Sequence, residues 1–292
     1  LVESPLFVAI VLVATSLGIV VPVLKDAGGA GSGLGQLVIA AASIADFGAV
    51  ILLSLFYSRE SSGTGSKIVL LGGFALAVVG IGLALVAAQH LVGLSRVLER
   101  LQDTTAQIRV RGSMFLLLVL VLAAQEFGLA AILGAFVAGA VVAVLDRDGV
   151  RTHPLFRVKL DAIGYGFVIP VFMVAAGLSF DVQALVDEPT VLLRVPVFLA
   201  ALLLVRGVPA LVFRGELGNR QSVAAGLLLA TSLPFIVAAT EIGQSLGVIT
   251  RSTAAAFVTA GLVSALVFPL VADRLLPSNT RSGTVTEASP AG

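Results

Sequence analysis

Between Gln36 and Tyr57 the chain runs through about twenty apolar or small residues and carries a single charge, Asp46. At a helical rise of about 1.5 Å per residue, Asp46 lies about 15 Å from the Gln36 end, near the middle of a bilayer's hydrocarbon core. An ionised carboxylate at that depth costs about 3 kcal/mol on insertion scales, and more in simulation. Such residues face a water-filled cavity or a polar partner and mark ion or proton paths. The alternative is a carboxyl that stays protonated and hydrogen-bonds a neighbouring helix.

The run is one of several. Residues are 58% hydrophobic and 12% charged, against about 25% charged in ordinary soluble domains, so the expected fold class is an all-α polytopic membrane protein. Nine stretches of spanning character fall at 5–24, 36–57, 67–89, 113–125, 128–145, 163–180, 190–213, 221–243 and 252–273. Gln125-Glu126-Phe127-Gly128 is expected to form a tight hairpin between the fourth and fifth. The absence of Cys removes disulfides, thiolate metal sites and cysteine catalysis. His90 and His153 each stand alone near a helix end and are expected to be solvated. No paired Asp, His-rich motif or Ser beside a base lies at membrane depth, so an enzyme is not expected. Neither a cofactor nor a nucleic-acid partner is expected.

Nine spans divide the cations unevenly. Arg59, Lys67, Arg194 and Arg251 fall on one side and thirteen others, from Lys25 to Arg281, on the opposite side, while Arg206 falls inside a span. By the positive-inside rule the richer side is cytoplasmic, which places the C-terminus there and has the first helix entering from outside. The expected setting is a plasma membrane, crossed several times. Residues 94–112 alternate apolar and charged side chains and read as a cytoplasmic interfacial linker helix. They separate a first core half, 1–93, containing a broken helix and Asp46, from the remaining membrane helices, 113–275. Residues 276–292, rich in Ser, Thr, Pro and Gly, read as a disordered cytoplasmic tail. Because the first residue is Leu1 and no signal peptide precedes it, the natural start is expected upstream.

A repeat sharpens the picture. Leu12-Val13-Ala14-Thr15-Ser16-Leu17-Gly18, followed by Pro22, resembles Leu228-Leu229-Ala230-Thr231-Ser232-Leu233-Pro234, with five of seven positions identical. The first segment runs inward and the second outward, the pattern of an inverted repeat. Both place Thr, Ser and a helix breaker (Gly18 and Pro22, then Pro234) at mid-membrane, where hydroxyls can satisfy freed backbone groups. Paired interrupted helices point to a transporter's binding site, although two merely kinked packing helices would carry the same residues. Pro170 and Pro209 read as simple kinks. Arg206, about 12 Å deep, needs a counter-anion or water. Glu126 and Glu241 are candidate charge-compensating partners, and its role is open between bracing the broken helices and direct transport.

These motifs resemble a known family. Ala14-Thr15-Ser16-Leu17-Gly18-Ile19-Val20-Val21-Pro22, Ile44-Ala45-Asp46-Phe47-Gly48-Ala49-Val50-Ile51-Leu52-Leu53 and Gly164-Tyr165-Gly166-Phe167-Val168-Ile169-Pro170, continued by Gly177-Leu178-Ser179-Phe180-Asp181, are similar to the Kef- and Nap-type bacterial monovalent cation:proton antiporters, related in fold to the Nha-type sodium/proton antiporters. The resemblance spans essentially the whole chain. It implies thirteen helices in full-length members, of which about four at the N-terminus are absent here. It also implies crossed, interrupted helices around Thr15 and Leu233, an ion-binding aspartate at Asp46 and a membrane cation at Arg206. Electrogenic members carry a second acid just before that aspartate, and here the position is Ala45.

The implied activity is exchange of Na⁺ or K⁺ for H⁺ by alternating access. It is expected to be electroneutral, because proton and cation compete for one carboxylate. Thr15, Ser16 and nearby carbonyls would complete the oxygen shell around a cation bound at Asp46. Expected partners are the cation, the proton, membrane lipid and, at full length, a second copy in a homodimer. By the same resemblance, the chain is expected to lack helices of that dimer. Rival readings are a sodium-coupled symporter of a small organic anion on the same fold and a non-transporting membrane sensor or remnant.

Overall fold

In the computed structural model, residues 4–57, 64–89, 107–145, 155–178, 180, 183 and 189–276 are described, and they form helices and short turns with no strand among them. The chain begins with α1 (Pro5–Val13) and α2 (Leu17–Asp26), then α3 (Gly33–Phe56) and α4 (Thr64–Gln89). After these come α5 (Ile108–Glu126), α6 (Ala131–Leu145), α7 (Leu155–Ile163) and α8 (Ile169–Leu178). The last four are α9 (Pro189–Leu202), α10 (Arg214–Ala230), α11 (Pro234–Ser245) and α12 (Arg251–Leu275). Six stretches are long and apolar enough to cross a membrane: Pro5–Asp26, Gly33–Phe56, Ile108–Glu126, Phe156–Leu178, Val191–Ser245 and Arg251–Leu275. Val191–Ser245 is 55 residues long and takes in two of the stretches expected from sequence. Val69–Leu83 and Ala131–Val144 are shorter apolar helices. The chain is a multi-pass α-helical membrane protein.

Local chemistry sets the helix ends. Ser4 caps α1, its hydroxyl accepting from the Phe7 N–H at 3.4 Å, and Pro5 follows at the first helical position, where no N–H is missed. Thr250 caps α12 in the same way, through the Thr253 N–H at 3.2 Å. Three helices end on a glycine at positive φ: Gly28 after α2, Gly128 after α5 and Gly247 after α11. In each, the next residue's N–H reaches back five residues, as from Leu129 to the Ala124 carbonyl at 2.8 Å, which satisfies carbonyls the helix has left free. The turn expected at Gln125–Gly128 is of this kind.

Pro170 and Pro209 do more than kink. Each follows a widened π-helical turn, Gly164–Val168 and Leu203–Gly207, with bonds from Ile169 N–H to the Gly164 carbonyl and from Val208 N–H to the Leu203 carbonyl. A proline cannot donate to the carbonyl four residues back, so the ladder loosens just there.

The helices gather into two compact units, Leu1–Ala49 with Phe180–Gly292, and Val50–Ser179, the division falling inside α3. This grouping cuts across the sequence divisions at 93/94 and 112/113. The linker residues 94–106, His90, His153, Asp181 and the tail 277–292 lie outside the described residues, while residues 108–112 are the first turn of α5. In the first unit, Val20 and Leu24 of α2, Val38 and Ala42 of α3, Ala225 and Leu228 of α10 and Ala272 of α12 share one buried cluster. Phe198 of α9 stacks on Phe257 of α12 with ring centroids 3.8 Å apart. In the second unit, α5 and α6 pack through Leu116, Leu120 and Ala138.

Gly134 lets α6 approach α5, since a Cβ there would overlap the Leu120 carbonyl, whereas one at Gly139 would meet open space. Gly134→Val is therefore expected to destabilise the fold by about 1–3 kcal/mol and Gly139→Ala to leave it unchanged, as read by thermal unfolding in detergent. Equal melting temperatures for the two variants would contradict this packing.

Candidate functional site

The two repeated segments break where their identical residues lie. α1 stops at Val13, and Ala14 is extended (φ −73°, ψ 134°). Ser16 (φ −136°, ψ 86°) precedes α2, so Ala14–Ser16 is the non-helical link. In the partner segment α10 stops at Ala230, Thr231 is extended (φ −71°, ψ 124°), and Leu233 precedes Pro234, which opens α11. The helix breakers therefore differ from the sequence expectation. Gly18 and Pro22 lie within α2 rather than in the break, and Pro234 starts a helix rather than interrupting one. Thr and Ser occupy the breaks in both cases, and they are poor helix formers in the interior of a helix. Pro22 still has an effect, since it has no N–H to give the Gly18 carbonyl.

The breaks touch. Ser232 Oγ donates to the Ala14 carbonyl at 3.2 Å, joining positions 218 residues apart. Thr231 Oγ1 folds back on its own helix and donates to the Leu227 carbonyl at 3.1 Å.

Asp46 stands beside the first break, half-buried on α3. Thr15 Oγ1 is 3.3 Å from Asp46 Oδ1 and 3.3 Å from the Ala42 carbonyl. The hydroxyl has one hydrogen, so it serves one acceptor at a time and can exchange one for the other. Backbone N–H groups of Thr15 and Leu17 also reach the Asp46 carboxylate. Leu17 is the first residue of α2, so Asp46 sits at the positive end of that helix, where unpaired N–H groups attract an anion. Ser16 Oγ is buried in the same break with no hydrogen-bond partner.

Arg206 meets the opposite end. It is 7% exposed and carried by the Leu203–Gly207 π-turn. Its Nε donates to the Leu12 carbonyl and its Nη2 to the Val11 carbonyl at 3.1 Å. These are among the last carbonyls of α1, left free when the helix stops at Val13. Arg206 thus caps the negative end of the first half-helix while Asp46 caps the positive end of the second, and the two charges act on each other through space. Its Nη1 is buried with no hydrogen-bond partner. The turn is held by close contact of Gly207 with Gly226 of α10, where a Cβ on Gly226 would lie 2.8 Å from the Gly207 carbonyl oxygen.

Of the other expected residues, Glu241 is exposed on α11, and Glu126 is exposed at the C-terminal end of α5 in the second unit. The partners that Arg206 reaches by hydrogen bonds are backbone carbonyls, which sequence spacing did not suggest. No group of three or more His, Cys, Asp or Glu able to hold a metal is found among the described residues. At the first break the Thr15 hydroxyl meets the Asp46 carboxylate, and the Ser16 hydroxyl lies buried in the same break.

The class of protein this defines is a multi-pass helical membrane protein with paired helix breaks beside one carboxylate. Residues 1–276 match the family described as "Sodium/hydrogen exchanger, transmembrane", and the chain belongs to that family. It is 31% identical over 274 residues to the Bacillus subtilis protein named "Putative Na(+)/H(+) antiporter YjbQ", covering 94% of this chain and 43% of the relative. "Probable Na(+)/H(+) antiporter 3" of Methanocaldococcus jannaschii is 28% identical over 91% of this chain and 67% of its own length. "Na(+)/H(+) antiporter" of Enterococcus hirae is 26% identical over 92% of this chain and 68% of its own length. The chain thus spans less than half of the Bacillus relative and about two thirds of the other two.

If Arg206 and Asp46 compensate opposite ends of one interrupted helix, removing one leaves the other unbalanced. Arg206→Leu is expected to lower the melting temperature in detergent, Arg206→Lys to lower it less, and Arg206→Leu with Asp46→Asn to recover part of the loss. A double variant less stable than Arg206→Leu alone would contradict the pairing.

Proposed function

We propose that the intact protein exchanges a monovalent cation, Na⁺ or K⁺, for H⁺ by alternating access, with Asp46 as the group that both ions visit. The observation that carries this reading is the Thr15–Asp46 contact at the first break, beside a buried Ser16 hydroxyl with no partner. A hard monovalent cation prefers oxygen ligands, and the carboxylate, two hydroxyls and backbone carbonyls are of that kind. The names of the relatives, each a Na⁺/H⁺ antiporter, support the same activity.

The cycle follows from competition at one carboxylate. With its proton released to the less acidic side, Asp46 accepts a cation, and Thr15 turns between Asp46 and the Ala42 carbonyl as the charge changes. Arg206 and the α2 N-terminus stay in place and keep the ionised carboxylate tolerable inside the membrane. Ala45 supplies no second acid, so one positive charge enters for each that leaves and exchange is electroneutral. The full-length protein works as a homodimer in the plasma membrane with a cytoplasmic C-terminus.

In everted vesicles, adding Na⁺ or K⁺ is expected to move protons, read by dequenching of a pH-sensitive dye, and Asp46→Asn to reduce the response to background. In proteoliposomes the rate is expected not to change with an imposed membrane potential. Movement that survives Asp46→Asn would assign the wrong carboxylate, and acceleration by the potential would overturn electroneutrality.

A further inference from the structure

The second break has a partner that the Asp46 site does not account for. The Ser232 N–H donates to Ser264 Oγ of α12 at 3.1 Å. The same hydroxyl lies 3.2 Å from the Ser232 carbonyl and 2.8 Å from the Gly261 carbonyl, so while accepting from Ser232 it donates to one of these two. Both serines are fully buried. Ser232 lies outside α10 and α11, so its amide has no helical partner, and lipid offers none.

Gly261 makes the approach possible. It precedes Ser264 by one turn on the same face of α12, and a Cβ there would lie 2.8 Å from the Ser232 carbonyl oxygen and 3.2 Å from Ile236 Cδ1. A contiguous path runs from α12 to the carboxylate: Ser264 to the Ser232 backbone, Ser232 Oγ to the Ala14 carbonyl, and Thr15 to Asp46.

We propose that Ser264, set close by Gly261, is a positioning residue for the cation site, holding the second break so that Ser232 fixes Ala14 and presents Thr15 and Ser16 to Asp46. The consequence for the cation rests on the proposed exchange at Asp46, and the clamp itself does not. Without the Ser264 hydroxyl the Ser232 amide loses its partner, the Ser232–Ala14 contact loosens, and the oxygen shell around Asp46 widens. The effect is on cation affinity more than on the rate of the transport cycle.

The test uses Ser264→Ala, Ser264→Thr, Ser264→Cys and Ser232→Ala in the intact protein. Two quantities are read: amide hydrogen exchange across residues 231–236, and the apparent KM and maximal rate for the cation, each normalised to protein in the membrane. Ser264→Ala is expected to speed exchange in that segment and raise KM about five- to tenfold with the maximal rate within about twofold. Ser264→Thr, which keeps the hydroxyl, is expected to restore both. Adding Ser232→Ala is expected to raise KM no further than the larger single effect, because both act through one contact. Ser264→Cys, with its weak S–H donor, is expected in between and decides the matter if the alanine variant does not fold. Unchanged amide exchange in Ser264→Ala overturns the clamp whatever the transport result. Faster exchange with an unaltered KM, in the alanine or cysteine variant, overturns the positioning role and leaves exchange at Asp46 untouched.

Discussion

A helix interrupted inside a bilayer exposes backbone groups that no solvent can satisfy, and the described residues contain two such interruptions, at Ala14–Ser16 and Thr231–Leu233. Much of what is polar in the first unit answers to that constraint. Arg206 takes the free carbonyls of Val11 and Leu12. Asp46 receives the amides at the start of α2, and Ser264 holds the Ser232 amide. Ser232 in turn takes the Ala14 carbonyl and joins one break to the other. An unbroken helix would need none of these groups, so the interruptions are the reason for placing charges at such depth.

The same arrangement supports the proposed cation site. Satisfying every backbone group would produce an inert joint. Here Ser16 Oγ remains buried without a partner, and Thr15 divides its single hydrogen between Asp46 and Ala42. Buried polar atoms without partners are costly, and a site that leaves them open is stabilised by a ligand that fills them. A hydroxyl oxygen beside a carboxylate suits a cation, while the guanidinium at the other half-helix end balances the carboxylate when it stands ionised.

Much of this was legible in the sequence, for identifiable reasons. Asp46 stood out because a lone acid in an apolar run is costly, and the breaks were visible because Ala-Thr-Ser-Leu recurs in both segments. The exact breaker was not legible. Gly18 and Pro22 attract notice as helix-disfavouring residues, yet proline is tolerated inside α2 and serves as a helix start at Pro234. The partners of Arg206 are hidden because backbone carbonyls leave no mark in a sequence, so Glu126 and Glu241 stand out in their place. Ser264 was hidden as well, since one serine in an apolar helix looks like any other. Its spacing from Gly261, a small residue one turn earlier on the same face, was the available signal. The π-turns before Pro170 and Pro209 show that a proline's effect reaches back along the helix, so Pro209 shapes the turn that carries Arg206.

In the proposed cycle, proton and cation occupy one carboxylate in turn. This is tested most directly by measuring the apparent KM for the transported cation as a function of pH, with the intact protein in proteoliposomes. Competition at Asp46 predicts that KM rises by about tenfold for each unit of falling pH once the site is mostly protonated, at constant maximal rate. A KM independent of pH, with the maximal rate falling instead, would mean that the two ions use different groups.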